Sequence, residues 1–412
     1  MNRNRITTMA QAIFLIQGMM VAFLASTPIV QAQRSPQLRI ATFNVSLNRN
    51  KSGELFKDLQ SKTNPQARKI AEIIQRIRPD ILLINEFDFD PHGAAFELFH
   101  KHYLQTSQNG KQPIEFPHHF LAPVNTGLPS GFDLDNDGKS SGPGDAYGFG
   151  RFPGQYGMVV LSKYPIDRTG VRTFRKFLWK DMPGSLLPKQ PETGEPFYLA
   201  EELNVFRLSS KSHWDIPIRV GSKMIHLLCC HPTPPVFDGK EDRNGCRNHD
   251  EIRLFADYIS RNKNEYLYDD NGQKGGLGDK TSFVIAGDLN SDPIDGDSHS
   301  NAIGQLLKHA RVHQGLLPKS KGAVIAAENQ KKANLQHRGD PALDTSDFDD
   351  RQSGNLRIDY VLPSNNLKLL GSGVFWPKPI EDGYGLVDAS DHRLVWIDIG
   401  DVETPTDSKQ DR

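Results

Sequence analysis

Seven short apolar runs recur along this chain and constrain its fold more than any other feature: Leu38 to Phe43, Ile81 to Asn85, Gly157 to Leu161, Lys223 to Cys230, Phe283 to Ala286, Ile358 to Leu362 and Leu394 to Ile399. Each has the length of a strand rather than of a helix. Between them, Ala67 to Ile77 places Ile70, Ile73, Ile74 and Ile77 at helical spacing, and Pro79 stops the pattern. Asp250 to Arg261 repeats it with Ile252, Phe255, Ala256 and Ile259 on one face, and Ala302 to Leu307 makes a further short helix. Strands with helices spaced between them predict a layered α/β domain with a sheet core.

The ends of these runs carry the chemistry. Ser282 to Gly287 breaks directly into Asp288-Leu289-Asn290-Ser291-Asp292-Pro293. Residues two apart on a strand share a face, so Asp288 and Asn290 project together beyond the strand's end. Taken alone, Gly287-Asp288-Leu289-Asn290 is equally well an Asx turn. The pattern repeats, however. Asn44 ends the first run, Glu86 the second, and His231 follows the cysteine run; Asp359 lies in Arg357-Ile358-Asp359-Tyr360, and Asp391-His392 precedes the last run. Each has an ordinary explanation as an exposed edge, a satisfied core histidine or a turn residue. Six strands delivering carboxylate, amide or imidazole groups point to one shared site.

In order and wording these segments resemble the endonuclease/exonuclease/phosphatase superfamily. The matching text is Ala41-Thr42-Phe43-Asn44, Ile84-Asn85-Glu86, Cys230-His231-Pro232, Gly287-Asp288-Leu289-Asn290, Arg357-Ile358-Asp359-Tyr360 and Ser390-Asp391-His392, spread from about Leu38 to Ile399. The resemblance implies a four-layered α/β sandwich, two packed mixed β-sheets flanked by helices with long loop insertions, with the site at the sheet ends. It implies hydrolysis of a phosphoester, which needs charge neutralisation on the phosphoryl oxygens, an activated water and a stabilised leaving oxygen. By the same resemblance Glu86, with Asn44 and Asp391, would hold Mg²⁺, with Mn²⁺ or Ca²⁺ as alternatives. Asp288 would orient and deprotonate the attacking water, and Asn290 would hold a phosphate oxygen or that base. His392 would sit against the scissile phosphate with Asp359 fixing its tautomer, and His231 would be a second phosphate-facing donor. A non-catalytic binding protein on the same fold is the competing reading; it predicts that at least one of Glu86, Asp288, Asn290, Asp391 and His392 is missing, and all are present.

Residues 1 to 32 contain Arg3 and Arg5, no acidic residue, an apolar stretch from Ala12 to Val30 and a small-residue end at Val30-Gln31-Ala32. This reads as a cleavable signal peptide and a secreted or periplasmic protein. A membrane anchor is the alternative, against which stand Gln17, Gly18, Ser26, Thr27 and Pro28. The expected domain spans 36 to 400, and 401 to 412 is expected to fray. Removing the leader takes two of the 49 basic residues and none of the 50 acidic ones, so the formal charge goes from −1 to −3. No global basic field attracts nucleic acid, though a local patch remains open. DNA and RNA head the substrate classes, with lipid and inositol phosphates behind them, and the chain is expected to act as a monomer. With only Cys229, Cys230 and Cys246 the chain is no disulfide scaffold, but one bridge from Cys246 to either neighbour would suit an oxidising compartment.

Pro91 to Phe152, Arg172 to Phe197 and Gly315 to Gly354 are rich in Gly, Pro, Asn, Asp and Lys and read as loop insertions that build the substrate rim. The first holds Asp133-Leu134-Asp135-Asn136-Asp137-Gly138, the opening of a calcium loop, but Gly144 stands where an EF-hand has Glu and Asp145 comes one later. A structural Ca²⁺ site and a flexible acidic turn are both open. Arg151, Gln155 and Tyr156, and Ser212-His213-Trp214-Asp215, are candidates to line the cleft, with packing the plainer alternative. Arg172-Thr173-Phe174-Arg175-Lys176-Phe177-Leu178-Trp179-Lys180 either stacks on bases or covers the core.

Overall fold

The computed structural model describes residues 37–315 and 317–400; the expected signal peptide and C-terminal tail lie outside the described residues. In chain order the strands are β1 (Leu38–Leu47), β2 (Ile81–Phe87), β3 (His118–Phe120), β4 (Met158–Ser162), β5 (Arg172–Thr173), β6 (His213–Val220), β7 (Lys223–Cys230), β8 (Ser282–Asp288), β9 (Ser346–Asp347), β10 (Asn355–Leu356), β11 (Asp359–Pro363), β12 (Lys368–Val374) and β13 (Val395–Gly400). One sheet runs β12-β13-β1-β2-β4-β3, the other β11-β8-β7-β6-β5, and β9 and β10 form a small ribbon. Both large sheets are mixed: β1 with β2 and β7 with β8 are parallel, and the other pairs are antiparallel. The helices are α1 (Glu54–Gln60), α2 (Pro65–Ile77), α3 (Ala94–Phe99), α4 (Ala200–Leu203), α5 (Arg243–Tyr258), α6 (Gly304–Leu307) and α7 (Lys321–Gln330).

Strand alternation makes the layers. Ile40, Leu83 and Val160 of the first sheet meet Ile216, Leu227, Val284 and Val361 of the second in a shared apolar interior. The opposite face of the first sheet, through Phe43, Leu82 and Ile84, takes Ile70, Ile73 and Ile74 of α2 and Phe96 and Phe99 of α3. The opposite face of the second, through Leu228, Cys230 and Ile285, takes Ile252 and Phe255 of α5 and Leu306 of α6. Helix, sheet, sheet and helix are the four layers expected from the sequence, and each fully buried Leu, Ile or Phe adds about 1.5–3 kcal/mol. Helix α2 is delimited as its sequence dictates: the Asn64 side chain accepts from the Ala67 amide, Pro65 occupies the first turn, and Arg78 closes the helix in the left-handed region at φ 53°.

The differences from the sequence reading are local. Strand β6 alternates Trp214, Ile216, Ile218 and Val220 with His213, Asp215, Pro217 and Arg219, placing the apolar set between the sheets. Ser212-His213-Trp214-Asp215 is therefore core: His213 bonds Ser209 and the Glu251 carbonyl, and Trp214 is fully buried. The stretches read as loops contain α3, β3 and α7. Phe174, Phe177 and Trp179 are buried, and Arg172 pairs with Asp269 at 2.8 Å while lying over Phe174 and Tyr258, so the cationic-aromatic segment covers the core and offers no stacking platform. No disulfide forms: Cys229 and Cys230, adjacent on β7, point to opposite faces of the sheet, and all three thiols are free and buried. Among the described residues no helix is long and apolar enough to cross a membrane.

Candidate active site

The two sheets bring β1, β2, β7, β8, β11 and the segment before β13 to one end, and five titratable side chains meet there. Asp288 Oδ2 is the hub. It lies 3.3 Å from His231 Nε2 and 3.7 Å from His392 Nε2, and it accepts from Asn44 Nδ2 at 3.0 Å. His231 Nε2 is also 4.0 Å from Glu86 Oε1. On the far side of His392, Nδ1 donates to Asp359 Oδ2 at 2.9 Å, and that oxygen also accepts from Thr345 Oγ1 at 2.9 Å.

Local backbone explains the aim of these groups. Glu86 sits at φ 59°, in the left-handed region, which for a residue with a side chain costs about 1–2 kcal/mol and turns the carboxylate out of the β2 ladder. Its Oε2 accepts from Asn48 at 2.7 Å. Asn290, at φ 50°, donates its backbone N–H to Asp288 Oδ1 and its amide to the Pro232 carbonyl. The Asx turn and the shared site are thus one structure rather than rivals. Gly287, immediately before Asp288, is obligatory: a Cβ there would lie 2.0 Å from the Cys230 carbonyl oxygen.

The charges are mutually dependent. Burial alone would lower the His392 pKa, but the carboxylates of Asp359 and Asp288 outweigh it and hold the imidazole protonated, well above an ordinary histidine. Burial likewise would raise the Asp288 pKa, yet His392, His231 and the Asn44 amide keep this carboxyl ionised, well below the usual range. Burial pushes Asp359 upward against the pull of His392. His231 is lowered by burial and by the Lys211 ammonium, so the neutral ring presents Nε2–H to Asp288 while its buried Nδ1 has no partner.

The remaining candidates separate clearly. Asp391 is exposed and its Oδ1 accepts from Ser46 Oγ at 2.7 Å; Ser46 N–H in turn donates to Asn44 Oδ1. Gln155 is buried as a structural clamp, accepting from the Arg151 amide and donating to the Arg49 carbonyl. Arg151 is exposed and bonded to Asn50, and Tyr156 is half-buried with the charges of Glu86, Arg151 and Asp88 around its hydroxyl. In the acidic loop, carboxylate oxygens of Asp133, Asp135 and Asp145 lie within 4.8 Å of one another, whereas Asp137 turns to Lys139. Sequence reasoning missed Ser46 and Asn48, which sit at and just beyond an irregular strand end where Ser46 has φ 47° and the β1 register shifts. It also missed Lys211, a buried ammonium whose pKa burial lowers against the pull of Glu251, Glu86 and Asp288; nothing in its spacing announces it.

Two packed sheets ending in this carboxylate and imidazole cluster define the class. The chain belongs to the Endonuclease/Exonuclease/phosphatase family, whose sequence profile matches residues 41–392. Members of that family are phosphoester hydrolases. Among solved structures, the endonuclease/exonuclease/phosphatase protein of Beutenbergia cavernae is similar at 17% identity, over 89% of this chain and 72% of its own, with a TM-score of 0.47. Sphingomyelinase C from Streptomyces griseocarneus is similar at 16%, over 88% and 99%, with a TM-score of 0.45. A beta toxin from Staphylococcus aureus with bound magnesium ions is similar at 15%, over 88% and 99%, with a TM-score of 0.44. A search of curated protein sequences finds no match.

Proposed function

We propose that this chain is a secreted, divalent-metal-dependent phosphodiesterase of nuclease type that cleaves its substrate by in-line attack of a water. The observation that carries the reading is Asp288, a carboxylate kept ionised in the interior by His392, His231 and Asn44. A buried carboxylate so held accepts a hydrogen bond from a water and fixes its direction of attack. His392, charged and anchored by Asp359, places positive charge where phosphoryl oxygens gather negative charge. Asn290 and neutral His231 supply further polar groups beside it. Arg151, exposed and bonded to Asn50, and Tyr156, near Glu86, are the proposed contacts for an extended substrate.

The donor set suits a hard cation. Glu86 is partly exposed, and its Oε1 lies beside His231 without a hydrogen bond; Asn44 and Asp391, joined through Ser46, are the groups assigned with it. Bound there, Mg²⁺ would act as a Lewis acid on a phosphoryl oxygen.

A second reading, a phosphodiester with an apolar substituent such as a lipid, draws support from exposed side chains on segments that run on from the site. Phe237, six residues past His231, is 85% exposed, and Ile294, four past Asn290, is 48% exposed. One experiment separates the readings: purified protein assayed on plasmid DNA, RNA, sphingomyelin vesicles, inositol phosphates and a chromogenic phosphodiester, with Mg²⁺ and with chelator. Metal-dependent cleavage of nucleic acid supports the first reading and of vesicles the second. No turnover on any substrate with metal present refutes both and leaves a binding protein.

A further inference from the structure

We propose that Asp242, Cys246 and His299 form a second metal site, separate from the catalytic cluster, that takes a zinc-class divalent cation. Asp242 occupies the cap position of α5, Cys246 lies one turn on, on the same face, and His299 comes from the segment that continues beyond Asn290. His299 Nδ1 is 2.6 Å from Asp242 Oδ2, and one donor atom from each residue lies within 4.8 Å of the other two. A thiolate, an imidazole and a carboxylate with one open position form the donor set of a tetrahedral Zn²⁺ or Co²⁺ site and a poor one for Mg²⁺.

The unpartnered sulfur points to a ligand rather than to accidental proximity. Cys246 is 9% exposed and in no disulfide; its backbone N–H donates to the Asp242 carbonyl, but among the described residues its thiol makes no hydrogen bond to another residue, so the sulfur faces the other two donors without a partner. Gly245 leaves the space the carboxylate uses, since a Cβ there would lie 2.1 Å from Asp242 Oδ1. The surrounding charge agrees with this assignment. The carboxylates of Asp242, Asp250 and Asp238 surround the sulfur with negative charge, a field that favours a cation.

The site is placed to matter. Helix α5 also carries Asn248, which donates to the carbonyls of Thr233 and Leu289, and Glu251, which accepts from the amides of Ser210 and Thr233. A cation at Asp242, Cys246 and His299 would fasten the segment beyond Asn290 to the helix that already holds the backbone around His231 and Asp288.

The test is a Co²⁺ titration of the full chain without a polyhistidine tag, read by the thiolate-to-cobalt charge-transfer band. Cys229 and Cys230 are enclosed in the sheet, so the band reports Cys246. The expected result is a saturable band, displaced by Zn²⁺, absent from Cys246→Ser, weakened about tenfold or more in affinity by His299→Ala, and retained by Glu86→Gln. Zn²⁺ should also raise the Tm of the wild type but not of Cys246→Ser, which shows that the variant is folded. Absence of the band at saturating Co²⁺, or a band that survives Cys246→Ser, overturns the proposal.

Discussion

Asp288, the last residue of β8, and Asp359, the first of β11, are direct cross-strand partners, and His392 enters between them with Nε2 3.7 Å from one carboxylate and Nδ1 2.9 Å from the other. Like charges opposite each other on antiparallel strands repel. The imidazolium is what makes that pairing tolerable, so the charge state of His392 is a structural property of the two sheets.

Replacing Asp359 by Asn keeps the shape but removes one of the two carboxylates that hold His392 protonated. The His392 pKa should fall toward the ordinary histidine value of about 6.5, and kcat/KM should drop about 10- to 100-fold. The alkaline limb of the pH profile should move to lower pH. NMR titration of the imidazole together with the pH–rate profile checks both; an unmoved imidazole pKa would refute the coupling.

Alanine at Asp288 or at His392 should each lower kcat/KM by at least about 10²-fold, but their effects on stability should differ. His392→Ala leaves two buried carboxylates facing each other, whereas Asp288→Ala removes one of them. The folded pKa of His392 is raised, so its stabilisation is fully present below the unfolded value of about 6.5 and is lost as pH rises through the folded value. His392→Ala should therefore be destabilised relative to wild type at pH 6, with a gap that narrows at alkaline pH. Thermal melts across pH measure this directly, and a gap that widens with pH would count against it.

Why the site was legible before the fold detail follows from period-two geometry. A strand that ends on Asp288 or Glu86 advertises it by an abrupt change from apolar to polar, and several such breaks name a common end of the sheets. The layers were legible for the same reason, because runs buried on both faces read as continuous apolar segments. Strand β6 was missed since His213, Asp215 and Arg219 interrupt it, and partners that no local pattern reveals hold two of them: Asp215 accepts from Tyr258 and pairs with His226, and His213 bonds the Glu251 carbonyl. Strand β12 carries Gly371, Ser372 and Gly373, which argue against a strand locally and are overridden by pairing with β13. Lys211 was invisible because its role depends on four carboxylate and imidazole neighbours that no local pattern reveals.

Asp344 is 8% exposed, and burial together with Asp292, Asp295 and Asp340 pushes its pKa up to about 8. A carboxyl whose folded pKa lies above its unfolded value of about 3.9 loses stability as pH climbs from that value through 8. Asp344→Asn stays neutral throughout. It should raise the Tm by about 2 °C or more at pH 9 and leave it unchanged at pH 4, readable by calorimetry at the two pH values. An equal shift at both would point to altered packing instead.

Lys211→Met removes the buried ammonium that helps to keep His231 neutral. The His231 pKa should rise, the acid limb of the kcat/KM profile should move to higher pH, and activity at neutral pH should fall about tenfold or more. Lys211→Arg should not fully restore it, because a larger, planar guanidinium cannot put its charge at the same buried point beside the Pro232 carbonyl. Full activity in Lys211→Met would reduce this residue to packing.

Glu86 can separate stability from function most sharply, because its backbone sits in the strained left-handed region at the position where its carboxylate leaves the strand. Asn tolerates that conformation better than Glu and is too short to present a charge at the same place. Glu86→Asn loses the hydrogen bond from Asn48 but sheds part of the strain, so its urea midpoint should match or exceed that of wild type, within about 1 kcal/mol. Activity should fall at least about 10²-fold, and added Mg²⁺ should fail to restore it at concentrations that saturate the wild type. Were Glu86→Asn to unfold easily, the strained backbone would be a requirement of the fold. Were it to keep wild-type activity and metal dependence, Glu86 would have no part in holding the cation.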